Sequence, residues 1–551
     1  MIVLVPCLFE LVRGIVTSLW RRPQRVDPRI PVRLGSSSDE NWGVSLTLQN
    51  GTKKRKSKLF EEYESIIKIL KKYDFDFENL AFEGGGNKGI AYGGAVKILE
   101  KIGVLWKCKR FAGSSAGAAV ALLVALGYSG DEIIFMMKRD ISADNFMDSR
   151  SGRLGLLYNL FYHHGWHPGK KLHQTLESYV EQATGRPHLT FEELYQEFDK
   201  ELCVVCTNIT TMSAEYFHPK TTPDVSIALA VRMSMSLPGV FQPVKLERHG
   251  TTYVYVDGGL LCNYPVHVFD GWFLSMKPKD SFLKRLDIST KHKATNQHFM
   301  FGGHNTKTLG MMLYSGNEVE FMKNQFENRL TKLDDDGKAE FYFENPRPDT
   351  KLAKFNGPIV DQYLKTERKR NRIFEAAMHF WQALRECDKD GNDAIDKDEL
   401  RKALQNGIFT EHDATVLFGK TYSVDQIFQD MDTNKDGSIN WQEFLYFIER
   451  RSVAFMCYVQ KLSMRDVNTF GDFLTSVLDT VEINVKQLYM KTNDDERTIG
   501  INTDYVQTTD FYMETEDKEF LIRQGAIACI QYLKAYIEKN YGETISYQLV
   551  T

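Results

Sequence analysis

The sequence predicts an α/β fold with a mostly parallel central sheet, joined to a small all-α module. Apolar, strand-like segments alternate with helix-like segments between residues 79 and 128. Strand-like segments recur further on, at LCVVCTNIT and TTYVYVDGG. From about residue 365 the pattern changes to two units of helix, acidic loop and helix. Short strands that alternate with helices are typical of parallel sheets with crossover connections.

Length and composition indicate a folded chain with several domains, or with one large core that carries an insertion. The chain has 551 residues, of which 42% are apolar and 26% are charged, which allows about two to four domains and excludes a wholly disordered protein. The formal net charge of −4 gives no indication of a nucleic acid partner, and the sequence does not define an oligomeric state. Of eight scattered cysteines, only Cys203 and Cys206 lie close together. Because that pair lies in an apolar run and has no second pair, we expect a structural role and a reducing compartment.

Residues 1–22 predict an amphipathic helix. Glu10 and Arg13 interrupt its apolar run, so it matches neither a signal peptide nor a spanning helix. A helix in a membrane interface and a helix packed on the protein's own core both fit the pattern. Residues 23–58 predict a Pro-rich and basic linker that ends in the run KKRKSK. Such a run can supply the second signal that stable binding to an anionic leaflet needs. An amphipathic helix is then predicted at 59–73.

The segment GSSAG at 113–117 predicts a nucleophile. It lies between a strand-like segment and an alanine-rich helix, which is where a nucleophile elbow places its serine. Glycines flank the serine because the turn is sharp, and the helix N-terminus favours a developing negative charge. Ser115 is therefore the candidate nucleophile.

The segment GGGNKG at 84–89 has two interpretations. It matches the dinucleotide pattern G-x-G-x-x-G, but the next strand, WKCKRFAG, lacks the acidic residue that this pattern requires. As an oxyanion hole, it would direct the N–H groups of Gly84, Gly85 and Gly86 at the substrate carbonyl, with Lys88 adding positive charge. Because both loops follow successive parallel strands, we expect them at one edge of the sheet.

Asp257, in the segment DGG at 257–259, is the candidate base. A carboxylate with an ordinary pKa near 3.9 is a poor base for a hydroxyl, so Asp257 would need burial or a shared proton. The alternative is a triad that uses His267, ten residues further on.

Together and in this order, GGGNKG, GSSAG and DGG resemble the patatin-like phospholipase family. The segments LTFEELY, LAVRMSMSLPGVFQPV, NTKTLG and RTIGINTDYV also resemble parts of its catalytic domain. The resemblance covers roughly residues 75–330 and 480–540. It implies a three-layer hydrolase fold, a dyad of Ser115 and Asp257 without histidine, and an acyl-enzyme. It further implies hydrolysis of fatty acyl esters of glycerophospholipids, with no cofactor in catalysis.

Two acidic loops, at 388–399 and 432–443, fit the EF-hand calcium loop. Both have oxygen-bearing residues at the ligand positions and an isoleucine that can pair with the other loop. Asp393 replaces the glycine expected at position 6, so we expect weaker binding in the first loop. The predicted Ca²⁺ ligands are Asp388, Asp390, Asn392, Asp396, Glu399, Asp432, Asn434, Asp436, Ser438, Asn440 and Glu443.

These segments predict a catalytic domain in two parts, at 75–360 and 460–545, with the EF-hand pair inserted at 365–455. The expected function is a calcium-modulated, phospholipase A-type acyl hydrolase that is cytoplasmic and peripherally bound to a phospholipid membrane. Two alternatives stay open: a neutral-lipid lipase, and a calcium-dependent membrane-binding scaffold with an inactive hydrolase fold. Calcium itself could regulate the enzyme or only stabilise it.

Overall fold

The computed structural model describes residues 58–140, 148, 159–160, 162–285, 297–316, 322–333, 339–341, 343–388, 391–450, 467, 470–491, 493–543 and 545. The chain divides into two compact units. The first, here called the sheet unit, comprises residues 1–315, 322–354 and 467–551. The second, the helical unit, comprises residues 316–321 and 355–466. The predicted helix at 1–22, and the linker up to residue 57, lie outside the described residues.

The strands are defined first. In chain order they are β1 (Asn79–Phe82), β2 (Arg110–Ser114), β3 (Gly165–His167), β4 (Glu201–Asn208), β5 (Ser213–Phe217), β6 (Gly239–Phe241), β7 (Val244–Arg248), β8 (Thr251–Asp257), β9 (Thr308–Tyr314), β10 (Thr331–Leu333), β11 (Ala339–Phe341), β12 (Ala394–Ile395), β13 (Ile439–Asn440) and β14 (Thr498–Asn502).

The α-helices alternate with these strands in the sheet unit and form most of the helical unit. They are α1 (Glu64–Leu70), α2 (Ala91–Lys101), α3 (Val104–Lys107), α4 (Ala116–Ala125), α5 (Gly130–Asp140), α6 (Lys170–Thr184), α7 (Phe191–Phe198), α8 (Ile227–Ser234), α9 (Gly259–Cys262), α10 (Phe282–Arg285), α11 (Gln297–Met300), α12 (Lys323–Leu330), α13 (Lys351–Cys387), α14 (Lys397–Ala403), α15 (Glu411–Phe418), α16 (Val424–Met431), α17 (Trp441–Glu449), α18 (Phe470–Tyr489) and α19 (Thr515–Tyr541). Short 3-10 helices span Lys58–Tyr63, Gly86–Ile90, Val266–Phe269, Pro278–Asp280 and Asp494–Arg497.

The central sheet of the sheet unit has eight strands. β14, β9, β1, β2 and β4 are parallel neighbours in that order, while β5, β7 and β8 pair antiparallel. β1 and β9 are buried along their whole length, as expected where both faces of a parallel sheet are covered. The predicted α/β class with a mostly parallel sheet is confirmed.

β2 and β8 meet end to end along one side of β4. Cys206 of β4 pairs with Glu215 of β5 and with Asp257 of β8. Since a strand residue has one neighbour on each side, β8 lies on the side opposite β5, which is the side of β2. Val205, the preceding residue, pairs with Ser114 of β2. The carboxyl ends of β2 and β8 therefore face each other at adjacent positions of β4.

Segments that follow the helical unit in the chain complete the sheet unit. β14 pairs with β9, and α19 packs against α2. A Cβ on Gly94 would lie 1.8 Å from the Ile522 carbonyl oxygen, and a Cβ on Gly525 would lie 1.8 Å from that of Ala91. The two helices thus touch backbone to backbone, and larger residues at these glycines would push them apart.

The amphipathic helix predicted at 59–73 is a 3-10 turn followed by α1. Its apolar side is buried, as the pattern predicts, and consists of Phe60, Tyr63, Ile66, Ile67 and Leu70. Cys203 and Cys206 lie buried in β4, in keeping with the structural role expected for them. Among the described helices, none combines the length and the apolar character needed to cross a bilayer.

The helical unit has its own apolar core. Its two acidic loops are joined by the antiparallel pair β12 and β13, in which Ile395 lies opposite Ile439. The buried core side chains come from α13 to α17, from these two strands and from the segment between α14 and α15: Ala376, Ala377, Phe380, Ala383, Leu384, Ile395, Leu400, Ala403, Phe409, Ala414, Leu417, Ile427, Met431, Ile439, Phe444, Phe447 and Ile448.

Candidate active site and calcium-binding loops

Ser115 occupies a strained turn between β2 and α4. Its backbone has φ 50° and ψ −125°, a conformation that residues with a side chain rarely adopt and that costs about 1–3 kcal/mol. The surrounding structure holds the turn: the Ser115 N–H donates to Ser234 Oγ at 2.9 Å, and Ser234 Oγ donates to the Val205 carbonyl at 2.6 Å. This is the geometry of the predicted nucleophile elbow.

The two glycines of GSSAG allow close backbone packing around the elbow. A Cβ on Gly113 would lie 2.3 Å from the Gly117 carbonyl oxygen. A Cβ on Gly117 would lie 2.4 Å from the carbonyl oxygen of Phe82, at the end of β1. Both distances are far inside van der Waals contact, so any larger residue would displace Ser115 or the end of β1.

Asp257 lies in hydrogen-bond contact with Ser115. Ser115 Oγ donates to Asp257 Oδ2 at 2.6 Å, and the Gly259 N–H donates to Asp257 Oδ1 at 2.8 Å. The Asp257 side chain is buried. Burial raises its pKa to about 6, against the opposing effects of the Ser115 and Gly259 hydrogen bonds. A carboxylate with this pKa is mostly ionised at neutral pH and is a stronger base than an exposed aspartate.

His267 does not contact this pair. Its Nε2 lies 3.2 Å from the Tyr216 hydroxyl, and its ring stacks on Tyr489 with centroids 4.5 Å apart. Burial lowers the pKa of His267 to about 3, so it is neutral across the physiological range. The geometry therefore favours the two-residue arrangement over a triad with His267.

The glycine loop lies against the nucleophile, although one predicted donor is already engaged. A Cβ on Gly84 would lie 3.0 Å from Ser115 Cβ. However, the Gly84 N–H donates to the Asn263 carbonyl at 3.0 Å, and Asn263 Nδ2 donates to the Gly84 carbonyl at 3.2 Å. The prediction that Gly84 is an oxyanion donor is therefore wrong for this conformation, because its N–H fixes the loop to the segment after Asp257.

Two predicted donors remain in the loop, and the elbow adds one that the sequence prediction missed. Among the described residues, the N–H groups of Gly85, Gly86 and Ala116 have no hydrogen-bond partner. Ala116 is the first residue of α4, and the residue after the nucleophile is a usual oxyanion donor in such elbows. Lys88 is buried in the 3-10 turn of the loop.

Glu83 and Lys486 form a buried ion pair beside the glycine loop, which the sequence prediction also missed. Lys486 Nζ lies 2.7 Å from Glu83 Oε1, and the two side chains are only 8% and 2% exposed. The second carboxylate oxygen of Glu83 accepts from the Leu313 N–H at 2.8 Å. No local motif marks either residue, because 402 residues of the chain lie between them.

The second acidic loop has the EF-hand conformation. Lys435 and Gly437, at positions 4 and 6, have φ values of 60° and 88°. Asp432 accepts from the N–H groups of Asp436 and Gly437. Glu443 is buried at position 12 and accepts from the Thr433 N–H at 2.9 Å. Asn434 and Ser438 contact the Asp436 carboxylate, and Asn440 caps α17.

The first acidic loop has the same backbone conformation, but its glycine is at position 4 and not at position 6. Asp393 at position 6 has φ 58°, as predicted, while Gly391 at position 4 has φ 67°. Each loop thus has one glycine and one larger residue at its two left-handed positions. Asp388 accepts from the Gly391 N–H, Asn392 from the Ala394 N–H, and Asp396 caps α14 together with Glu399. Asp390 lies outside the described residues.

The donor sets of both loops are made of oxygen atoms, which fits Ca²⁺. Within the described part of the chain, no three acidic, His or Cys side chains converge closely enough to surround an ion. The carboxylates of the two acidic loops accept hydrogen bonds from N–H groups of the loops instead, as described above.

Comparison with known proteins agrees with both sets of motifs. Residues 80–270 match the family model of the patatin-like phospholipases, and residues 379–449 match that of the EF-hand domain pair. The chain contains a patatin-like phospholipase domain and an EF-hand pair, which confirms the two resemblances predicted from sequence.

Three relatives share the first domain. The uncharacterized protein YqhO of Bacillus subtilis (strain 168) is 33% identical over 34% of this chain and 65% of its own length. An uncharacterized protein of Acanthamoeba polyphaga mimivirus is 34% identical over 35% of this chain and 61% of its own. A probable lipid hydrolase of invertebrate iridescent virus 6 is 28% identical over 35% and 63%. This chain thus spans a little under two thirds of the length of each.

Among solved structures, VipD from Legionella pneumophila has 16% identity and a TM-score of 0.35, over 84% of this chain and 67% of that chain. A score this low supports no argument about function.

Proposed function

We propose that this protein is a lipid acyl hydrolase of the phospholipase A type that uses Ser115 as nucleophile and Asp257 as base. The observation that supports it best is the 2.6 Å hydrogen bond from Ser115 Oγ to a buried carboxylate, at the elbow of a patatin-like phospholipase domain. The viral relative named as a probable lipid hydrolase agrees with this substrate class.

The proposed reaction has two halves. Ser115 Oγ attacks the acyl carbonyl carbon while its proton passes to Asp257 Oδ2. The oxyanion is held by the N–H groups of Gly85, Gly86 and Ala116, each worth about 10²–10³ in rate where such donors have been removed. The tetrahedral intermediate expels the alcohol, which takes the proton from Asp257. Water then attacks the acyl-enzyme, Asp257 accepts its proton, and Ser115 regains a proton as the fatty acid leaves.

We further propose that calcium modulates this activity and that the protein acts, in the cytoplasm, at a phospholipid surface. The EF-hand pair supplies the calcium site, and α18, which follows it in the chain, packs against the helix that follows Asp257 and Gly258. The amphipathic pattern of residues 1–22 and the basic run after them support the membrane partner.

The test is hydrolysis of phosphatidylcholine vesicles by the wild type and Ser115→Ala, across about 10⁻⁷–10⁻⁵ M calcium, the range of EF-hand sensors. A fluorophosphonate probe measures the reactivity of Ser115 separately from lipid turnover. We expect fatty acid release and labelling by the wild type, neither by Ser115→Ala, and a calcium-dependent rate. Absence of labelling in the wild type would support the inactive scaffold. A flat calcium curve would contradict modulation.

A further inference from the structure

We infer that Lys486 is a positioning residue. It neutralises the buried Glu83 carboxylate and so keeps an uncompensated negative charge away from the oxyanion loop. This inference rests on the proposed hydrolase function. It assigns a role in the reaction to a helix that lies more than 300 residues beyond the nucleophile in the sequence.

Glu83 is fixed at the start of the glycine loop. It follows the last residue of β1 and precedes Gly84. Its N–H donates to the Met311 carbonyl at 3.0 Å, and its own carbonyl accepts from the Tyr92 hydroxyl at 2.7 Å. With the Leu313 N–H on Oε2 and Lys486 on Oε1, the carboxylate has no room to turn towards solvent.

The Glu83 carboxylate therefore stays close to the proposed reaction. Gly84 packs on Ser115, and a Cβ on Gly117 would lie 2.5 Å from the Glu83 carbonyl oxygen. During acyl transfer a second negative charge develops on the substrate oxygen. Like charges held near each other inside a protein repel strongly enough to slow such a step by about tenfold. Lys486, at 2.7 Å from Glu83, cancels most of that repulsion.

The helix that carries Lys486 also supports the segment after the candidate base. α18 packs against α9, which begins two residues after Asp257. Tyr489, at the end of α18, stacks on His267. One helix thus contacts the segments that adjoin both the glycine loop and Asp257, which explains why this part of the chain belongs to the sheet unit.

The sign of the remaining charge distinguishes this role from a purely structural one. Lys486→Met leaves a negative charge beside the oxyanion loop, whereas Glu83→Gln leaves a positive one. Both variants break the same ion pair and should lose similar stability. If Lys486 acts by neutralisation, the kcat of Lys486→Met falls by about tenfold, with KM within about twofold. The kcat of Glu83→Gln should be about fivefold or more above that of Lys486→Met.

A third variant tests rescue and a fourth is the control. The double variant Glu83→Gln/Lys486→Met removes both charges, and replacing a buried pair by neutral groups is often tolerated. We expect its kcat to return to within about threefold of the wild type. Lys491→Met breaks an ion pair only five residues along the chain, in which Lys491 lies 2.6 Å from Asp270, a carboxylate that Arg497 also contacts. Because that pair is not beside the glycine loop, its kcat should stay within about twofold of the wild type.

The assay is vesicle hydrolysis at one fixed pH, together with the rate of fluorophosphonate labelling and thermal unfolding of each variant. Equal losses in Lys486→Met and Glu83→Gln, or no rescue in the double variant, would overturn the inference. If Lys486→Met does not fold, a double variant whose kcat falls tenfold would overturn it, because that protein carries no uncompensated charge. Failure of the wild type to hydrolyse lipid would instead count against the proposed function.

Discussion

Asp257 in the sheet unit and Asp436 in the helical unit both accept a hydrogen bond from a backbone N–H two residues ahead. Asp257 is buried, and burial raises its pKa to about 6. Asp436 is exposed, and the Ser438 N–H and the Asn434 side chain lower its pKa. The same side chain thus has a raised pKa in one unit, which suits the proposed base, and a lowered pKa in the other, which suits the proposed calcium ligand. Burial, and not the local hydrogen-bond motif, therefore separates the two carboxylates.

Exchanging each carboxylate for an amide should separate the two functions completely. Asp257→Asn removes the base, so we expect lipid hydrolysis to fall by about 10³-fold or more, with calcium affinity unchanged. Asp436→Asn removes one ligand charge, so calcium affinity should fall by about tenfold, with calcium-free hydrolysis unchanged. Vesicle hydrolysis and calorimetric calcium titration measure both. Loss of calcium-free hydrolysis in Asp436→Asn would contradict the separation.

The same two variants should change folding stability in opposite directions. The raised pKa of Asp257 means that its contribution is fully present below the unfolded-state pKa near 3.9 and is lost as pH rises through about 6. Asp257→Asn should therefore raise the free energy of unfolding at pH 7 by up to about 3 kcal/mol, a gain that disappears near pH 4. The lowered pKa of Asp436 predicts the reverse: its amide variant loses stability at pH 7 and little below pH 4. Urea unfolding at both pH values tests this, and a loss of stability in Asp257→Asn at pH 7 would contradict it.

Backbone strain provides a smaller contrast within the sheet unit. Glycine can adopt the backbone conformation of Ser115 without a steric clash, whereas alanine adopts it only with strain. Ser115→Gly and Ser115→Ala should both be inactive, but the glycine variant should be the more stable by about 1 kcal/mol. Thermal unfolding of the two proteins measures the difference. Equal stabilities would mean that the elbow stores no strain.

The smallest effect is expected at Asp393 of the helical unit, which like Ser115 has a positive φ without being a glycine. Asp393 has φ 58°, in a region that aspartate tolerates better than most residues. Asp393→Gly should therefore gain only about 0.5 kcal/mol and strengthen calcium binding in the first loop. Calcium titration of this variant, with Gly437 in the second loop as the internal reference, is the measurement. Weaker binding in the first loop would show that Asp393 itself assists the ion.

The sequence predicted most of the fold and the main site residues because their signals are local. Strand–helix alternation gave the parallel sheet, and GSSAG and the two acidic loops follow from short-range turn geometry. The remaining features depend on contacts between distant segments. That β8 ends opposite β2 is a consequence of pairing along β4, and the engagement of Gly84 depends on Asn263, 179 residues away. The ion pair of Glu83 with Lys486 and the burial that raises the pKa of Asp257 are likewise properties of the assembled core.

If a buried aspartate is the base, its ionisation should control the pH dependence of kcat/KM on phospholipid vesicles. For the wild type we predict a rate that falls tenfold per pH unit below about pH 6, the pKa that burial gives Asp257. His267→Phe, which keeps an aromatic ring beside Tyr489 and Phe301, should give the same profile. A rate that stays constant down to about pH 4, or a profile that changes in His267→Phe, would contradict the account.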